Sequence, residues 1–126
     1  MPDKLTCLLV DDDPDDREVF LMTLDLIDRD IDCRTANNGA DASAMVDPAT
    51  QPDFIFLDVN MPKMNGIACL ERLREMGVTS KIFMYSTTAE ERVVERSRQL
   101  GAGFIVKPVS HKILQTVLTD LFNEFT

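Results

Sequence analysis

The sequence predicts an α/β fold, a parallel sheet of five strands with helices covering both faces. Three observations predict it. Four short apolar runs, Leu5–Val10, Phe54–Leu57, Ile82–Tyr85 and Phe104–Val106, and a weaker fifth strand, Cys33–Ala36, alternate with stretches of helical periodicity. Strand followed by helix, repeated, builds parallel sheets whose strands are buried on both sides. Four of the runs end abruptly in a polar residue: Asp11, Asp58, Ser86 and Lys107.

Leu5–Val10 reads as the first strand, with Leu8-Leu9-Val10 its buried part. Asp11-Asp12-Asp13-Pro14-Asp15-Asp16 follows, five acids in six residues. Pro14 suits a first helical turn, where acids complement the helix dipole. Phe20, Leu24 and Ile27 give that helix one inward face. Cys33–Ala36 is a weaker strand, read as an edge. Asn37-Asn38-Gly39 turns into a helix packed through Ala42, Met45 and Val46, which Pro48 ends.

The chain is organised around Phe54 to Gly66. Phe54-Ile55-Phe56-Leu57 is apolar enough for a strand buried on both faces, and Asp58 must stand where that strand leaves the sheet. In open α/β sheets that carboxyl edge is where ligands bind. Pro62 stops regular pairing, and Asn65-Gly66 starts a helix that faces inward with Ile67, Leu70 and Leu73 and ends at Gly77. Ile82–Tyr85 precedes Ser86-Thr87-Thr88. Ala89, Val93, Ser97 and Leu100 mark a narrow inward stripe on a fourth helix, whose other surface is Glu and Arg. Phe104–Val106 leads to Lys107-Pro108. Ser110 caps the last helix, with Val109 placed to staple against Leu114, and with Leu114, Leu118, Leu121 and Phe125 as its core stripe.

At 126 residues, with 44% hydrophobic and 28% charged residues and no composition break, the expectation is one domain over 1–126. The last helix uses up the chain, so no output domain is expected. The net charge of −9 argues against a nucleic-acid surface, which needs a basic stripe. Cys7, Cys33 and Cys69 lack metal spacing and read as small buried hydrophobes in a reducing, cytoplasmic compartment. No run has the length of a membrane span.

Parallel strands end on one edge, so Asp11, Asp12, Asp58, Ser86 and Lys107 are expected to meet there. Clustered carboxylates repel, by about 4 kcal/mol for two charges about 4 Å apart at an effective dielectric of about 20. Lys107 offsets part of this. A hard divalent cation with oxygen ligands, Mg2+ above others, offsets the rest. A carboxylate beside a metal, an ammonium and a hydroxyl is equipped for phosphoryl transfer.

Leu9-Val10-Asp11-Asp12, Leu57-Asp58, Met61-Pro62-Lys63-Met64-Asn65-Gly66, Met84-Tyr85-Ser86 and Gly103-Phe104-Ile105-Val106-Lys107-Pro108 together closely resemble the receiver domain of two-component response regulators. The resemblance runs from about residue 4 to the C-terminus. It implies a doubly wound, flavodoxin-like sheet of order 2-1-3-4-5. It implies that Asp58 accepts a phosphoryl group from a sensor histidine kinase or histidine phosphotransfer protein. It assigns Mg2+ to Asp11, Asp12, Asp58 and the backbone carbonyl of Asn60, makes Ser86 and Phe104 the switch residues, and pairs Lys107 with the phosphate. It also implies a cis bond before Pro108. Phe104 stands where chemotaxis members carry Tyr, Asp13 adds a charge read as solvated, and His111 reads as a surface residue.

The functional expectation is therefore a single-domain, cytoplasmic response regulator. It undergoes self-catalysed phosphoryl transfer and slow autodephosphorylation rather than turning over a substrate, and it signals by binding a downstream protein, without nucleic acid or membrane. Two other readings compete with it. A pseudo-receiver keeps the fold without phosphorylation, but all five site residues are present. A dehalogenase-type phosphatase is suggested by Asp11-x-Asp13, yet Asp15 stands where Thr or Val is expected and the Asp58 motif is left unexplained.

Overall fold

The computed structural model describes residues 4–61 and 64–126. Pro62 and Lys63, part of the loop expected after Asp58, lie outside the described residues. Five strands and five α-helices alternate: β1 (Leu5–Val10), α1 (Pro14–Asp25), β2 (Ile31–Ala36), α2 (Gly39–Met45), β3 (Phe54–Leu57), α3 (Gly66–Glu75), β4 (Lys81–Ser86), α4 (Glu91–Gln99), β5 (Gly103–Val106) and α5 (His111–Phe125). The sheet is parallel throughout, in the order β2-β1-β3-β4-β5. The expected fold class and strand order are therefore the observed ones.

The uninterrupted apolar character of Phe54–Leu57 has a direct cause. Alternate side chains of a strand point to opposite faces, and both faces of β3 are covered. Ile55 and Leu57 pack with Val10, Leu70, Leu73 and Met84 on the side of α2 and α3. Phe54 and Phe56 join Phe20, Tyr85, Leu118 and Phe122 on the side of α1 and α5. Edge-to-face contacts link these rings: Phe54 and Phe122 have centroids 5.1 Å apart, and Phe20 and Tyr85 5.6 Å.

Local chemistry sets the helix ends. Asp13 caps α1 by accepting from the backbone N–H of Asp15 at 2.9 Å, and Pro14 occupies the first turn. Asn38, Asn65 and Ser110 cap α2, α3 and α5 in the same way. Gly77 takes a φ of 89°, the left-handed conformation that closes a helix cheaply only in glycine. Gly66 answers a different need: a Cβ there would lie 2.3 Å from the Asp58 carbonyl oxygen, so only glycine lets α3 start so close to the end of β3.

The guanidinium of Arg74 fastens α3 to two loops. It donates to the carbonyls of Val78 (2.9 Å) and Ser80 (3.2 Å) before β4, and of Leu100 (2.8 Å) and Gly101 (3.1 Å) after α4. The helix α4 is held mainly toward its C-terminal end, where Arg96 pairs with Glu71 of α3 at 2.8 Å. Glu90, at its N-cap position, makes no side-chain cap, and Ser97 is its buried residue.

Several expectations needed correction. The strand β2 begins at Ile31 rather than Cys33, because Leu5 pairs with Ile31 and the register runs the full length of β1. Ile27 lies beyond the end of α1, although it is buried. Pro48 does not serve as a stop signal, since α2 already ends at Met45; it opens a 3-10 turn capped by Asp47. Ala89 precedes α4 and is exposed. The fifth strand is half-buried rather than buried, because it forms an edge of the sheet. Val109 is fully exposed and forms no staple, leaving the start of α5 to the Ser110 cap. Phe122, four residues after Leu118, takes the core position expected of Phe125, which is 40% exposed against Phe83 and Lys81. The bond before Pro108 is trans, since no cis bond occurs among the described residues. The long lysine stem carries its ammonium into the site without one.

The two phenylalanines of α5 should separate cleanly on truncation. Phe122→Ala is expected to cost about 3–5 kcal/mol, and Phe125→Ala less than about 1 kcal/mol, read from the midpoints of urea unfolding.

Candidate functional site

Strand ends bring the site together, as parallel topology requires. The backbone of β1 is paired to its end, and Asp58 N–H donates to the Val10 carbonyl at 2.9 Å, drawing Asp58 beside Asp11. On the other side, Lys107 N–H donates to the Ser86 carbonyl at 2.7 Å. Asp11, Asp58 and Ser86 are all buried, whereas Asp12 is exposed at the rim.

Lys107 is the centre of this arrangement. Its Nζ lies 2.9 Å from Asp11 Oδ2, 2.8 Å from Asp16 Oδ2 and 3.6 Å from Asp58 Oδ2. The same atom sits 5.2 Å from the centroid of the Tyr85 ring, whose face favours a cation. Burial alone would favour the neutral amine. The hydrogen bonds to Asp16 and Asp11 overcome it and raise the pKa, so the ammonium stays charged.

One positive charge is shared among three carboxylates, and Asp58 is the most weakly served of them. Burial first, and the charge of Asp11 next among the opposing effects, push its pKa up to about 6 from 3.8, although Lys107 and the Asn60 N–H pull it down. Carboxylate oxygens of Asp11, Asp12 and Asp58 lie within 4.8 Å of one another. Asp11 Oδ1 accepts from the Asp13 N–H at 3.0 Å and Asp58 Oδ1 from the Asn60 N–H at 3.2 Å, so both carboxylates are held in orientation. Three clustered, hard oxygen donors, two of them held in orientation, with surplus negative charge suit a divalent cation of the Mg2+ type.

The remaining expected residues are placed as follows. Ser86 Oγ accepts a long bond, 3.4 Å, from the Thr88 N–H. Phe104 is half-buried on β5 against the core on the α3 side. Asn60 is exposed beside Asp58. Asp13 is exposed and serves as the α1 cap, and His111 is exposed at the start of α5. The three cysteines are free; Cys7 and Cys69 are buried, and burial pushes the Cys33 and Cys69 thiols up to about 12 and about 11.

Sequence reasoning missed two participants. Tyr85 ends an apolar run and packs on Phe20, yet it also floors the Lys107 ammonium. Asp16 reads from the sequence only as an acid of the first helical turn. A signal was available: Asp16 precedes the fully buried Phe20 by four residues, so both share the inward face of α1.

Comparison with known proteins agrees with this geometry. The response regulator receiver domain family matches residues 7–119, and the chain belongs to that family. It is 34% identical over 119 residues to two-component response regulator 24 of Arabidopsis thaliana, covering 94% of this chain and 84% of that protein. It is 32% identical over 124 residues to the sensor protein EvgS of Escherichia coli K12, covering 96% of this chain but 10% of EvgS. The chain thus spans about a tenth of the length of that sensor protein. Among solved structures, the CheX-CheY complex of Borrelia burgdorferi with BeF3 and Mg2+ matches with a TM-score of 0.80 and 28% identity, over 94% of this chain and 89% of that one. No helix among the described residues is long and apolar enough to cross a membrane.

The raised pKa of Asp58 makes a stability prediction. Below its ordinary value of 3.8 the group is protonated in both the folded and unfolded states. As pH rises to about 6 the unfolded chain ionises first, and above it the folded protein carries a charge that burial penalises. In buffer containing a chelator, Asp58→Asn should therefore stabilise the fold near neutral pH, by on the order of 1–3 kcal/mol. The gain should vanish near about pH 4, as followed by thermal unfolding across pH.

Proposed function

We propose that this chain is a phosphoacceptor of a two-component pathway, receiving a phosphoryl group on Asp58 and signalling through protein–protein contact. The observation that carries this reading is the position of Asp58: buried at the end of β3, within a cluster of carboxylates, with the Lys107 ammonium 3.6 Å away. A carboxylate so placed is a nucleophile with a counter-charge close at hand.

In the proposed reaction an Asp58 carboxylate oxygen attacks the phosphorus of a phosphohistidine. The new O–P bond forms as the P–N bond breaks, and the departing imidazole nitrogen keeps the electron pair and takes up a proton. The donor is a sensor histidine kinase or a histidine phosphotransfer protein, consistent with the match to EvgS. Lys107 meets the added charge with a charge-assisted hydrogen bond, worth about 1.5–3 kcal/mol. Ser86 offers its hydroxyl to another phosphoryl oxygen. Asp11, Asp12, Asp58 and the Asn60 backbone carbonyl would hold Mg2+, which supplies neutralisation of phosphoryl charge when bound. Loss of the phosphoryl group to water, slowly and without a separate enzyme, resets the protein.

Output in this proposal follows from Ser86 and Phe104, which sit on β4 and β5, with α4 packed beside β5. A shift of Ser86 toward the phosphoryl group frees space that Phe104 fills, changing the surface offered to a downstream protein. Phosphorylation biases that surface only by its different interaction energy with the two arrangements. The acceptor acts in the cytoplasm, where free thiols such as those of Cys7, Cys33 and Cys69 persist.

Intact-protein mass after incubation with acetyl phosphate tests the reading. A gain of one phosphoryl group is expected with Mg2+, and none with Asp58→Asn; an equally labelled Asp58→Asn protein would overturn the assignment. Mg2+ alone should also stabilise the fold by mass action, by about 1.4 kcal/mol at about ten times its Kd. Asp12→Ala should remove most of that gain in a thermal melt.

A further inference from the structure

We propose that Asp16 is a positioning residue of this site: it competes with Asp58 for Lys107, holding the ammonium in the unphosphorylated protein and releasing it when Asp58 is phosphorylated. The proposal rests on the phosphoacceptor role given to Asp58 and concerns how that site is regulated.

The distances set up the competition. Lys107 makes full hydrogen bonds to Asp16 at 2.8 Å and Asp11 at 2.9 Å, but stands 3.6 Å from Asp58, beyond hydrogen-bond range. In the resting protein the ammonium is committed to β1 and α1 rather than to the phosphoacceptor. A phosphoryl group on Asp58 brings more charge than a carboxylate and draws the ammonium toward itself.

Burial decides which contact is given up. The Asp11 side chain is 0% exposed, so abandoning it would leave a buried charge without a partner. The Asp16 side chain is 41% exposed, and water replaces its ion pair at small cost. Asp16 is therefore the partner that lets go. Because it belongs to the first turn of α1, its release also reports phosphorylation to that helix. The cap at Asp13 and the contact of the Arg17 guanidinium with the Asp11 carbonyl, at 2.7 Å, lie in the same turn.

The test compares wild type, Asp16→Asn, Asp16→Glu and Asp15→Asn in Mg2+ buffer. Asp15→Asn removes the same charge from an exposed neighbour. The first readout is the acetyl phosphate concentration that gives half phosphorylation at steady state. Asp16→Asn should lower it about two- to fivefold, because no ion pair has to be broken. Asp16→Glu should restore the wild-type value, and Asp15→Asn should leave it nearly unchanged. The second readout is amide hydrogen exchange over 14–17. It should quicken on phosphorylation of the wild type and show no such response in Asp16→Asn, and Asp16→Ser serves in its place if that variant melts early. If Asp16→Asn and Asp15→Asn behave alike in both readouts while the wild type is labelled, the competition is overturned and the phosphoacceptor reading stands. If the wild type takes no phosphoryl group at all, both fall together.

Discussion

The carboxyl edge of this sheet is held together by one ammonium. Asp11, Asp16 and Asp58 would repel one another without Lys107, and Asp11 in particular is fully removed from water. Everything around the site serves to keep that charge in place. The Ser86 carbonyl holds the Lys107 backbone, the Tyr85 ring lies beneath the ammonium, and the Asp13 and Asn60 amides orient the carboxylates. The compensation is incomplete, since one ammonium faces three carboxylates, and burial in addition raises the pKa of Asp58. An incompletely neutralised, preorganised cluster is poor design for stability alone and good design for binding cations and transferring charged groups.

Most of the framework was legible because burial imposes itself on residue type. A strand covered on both faces has to be apolar throughout, which is why Phe54–Leu57 was placed correctly to the residue. The meeting of Asp11, Asp12, Asp58 and Lys107 followed from topology, since parallel strands end together. Failures arose where position in the assembled sheet overrides local pattern. The sequence Phe104-Ile105-Val106 looks like a core strand, yet no strand flanks its outer side, and Val106 is 50% exposed. Along α5, Phe122 and Phe125 are both aromatic and three residues apart; the packing of Phe54 on Phe122 selects one of them, and no local rule does so. The link between Lys107 and Asp16 spans 91 residues and depends on how α1 packs.

The two faces of the sheet are built differently. On the α1 and α5 side, aromatic rings contact one another across strands and helices, giving a stiff, directional core. On the other side the fully buried fillers carry no aromatic ring, being aliphatic side chains, Cys69 and methionines such as Met84, with Met61 and the half-buried Met45, Met64, Met76 and Phe104 around them. Thioether side chains adapt to altered surroundings at low cost. The helices that rest on this face, α2, α3 and α4, thus lie on the more deformable half of the interior.

Arg74 has a kinematic consequence. By binding carbonyls on both sides, at Val78 and Ser80 and at Leu100 and Gly101, it anchors the C-terminal end of α4 to α3 and to the approach to β4. The opposite end of α4 carries no side-chain cap. A rod pinned at one end cannot slide; it can only pivot. Any rearrangement of α4 is therefore largest at Glu91 and smallest at Gln99, which confines a changing surface to the end of the helix nearest Ser86 and the carboxylate cluster.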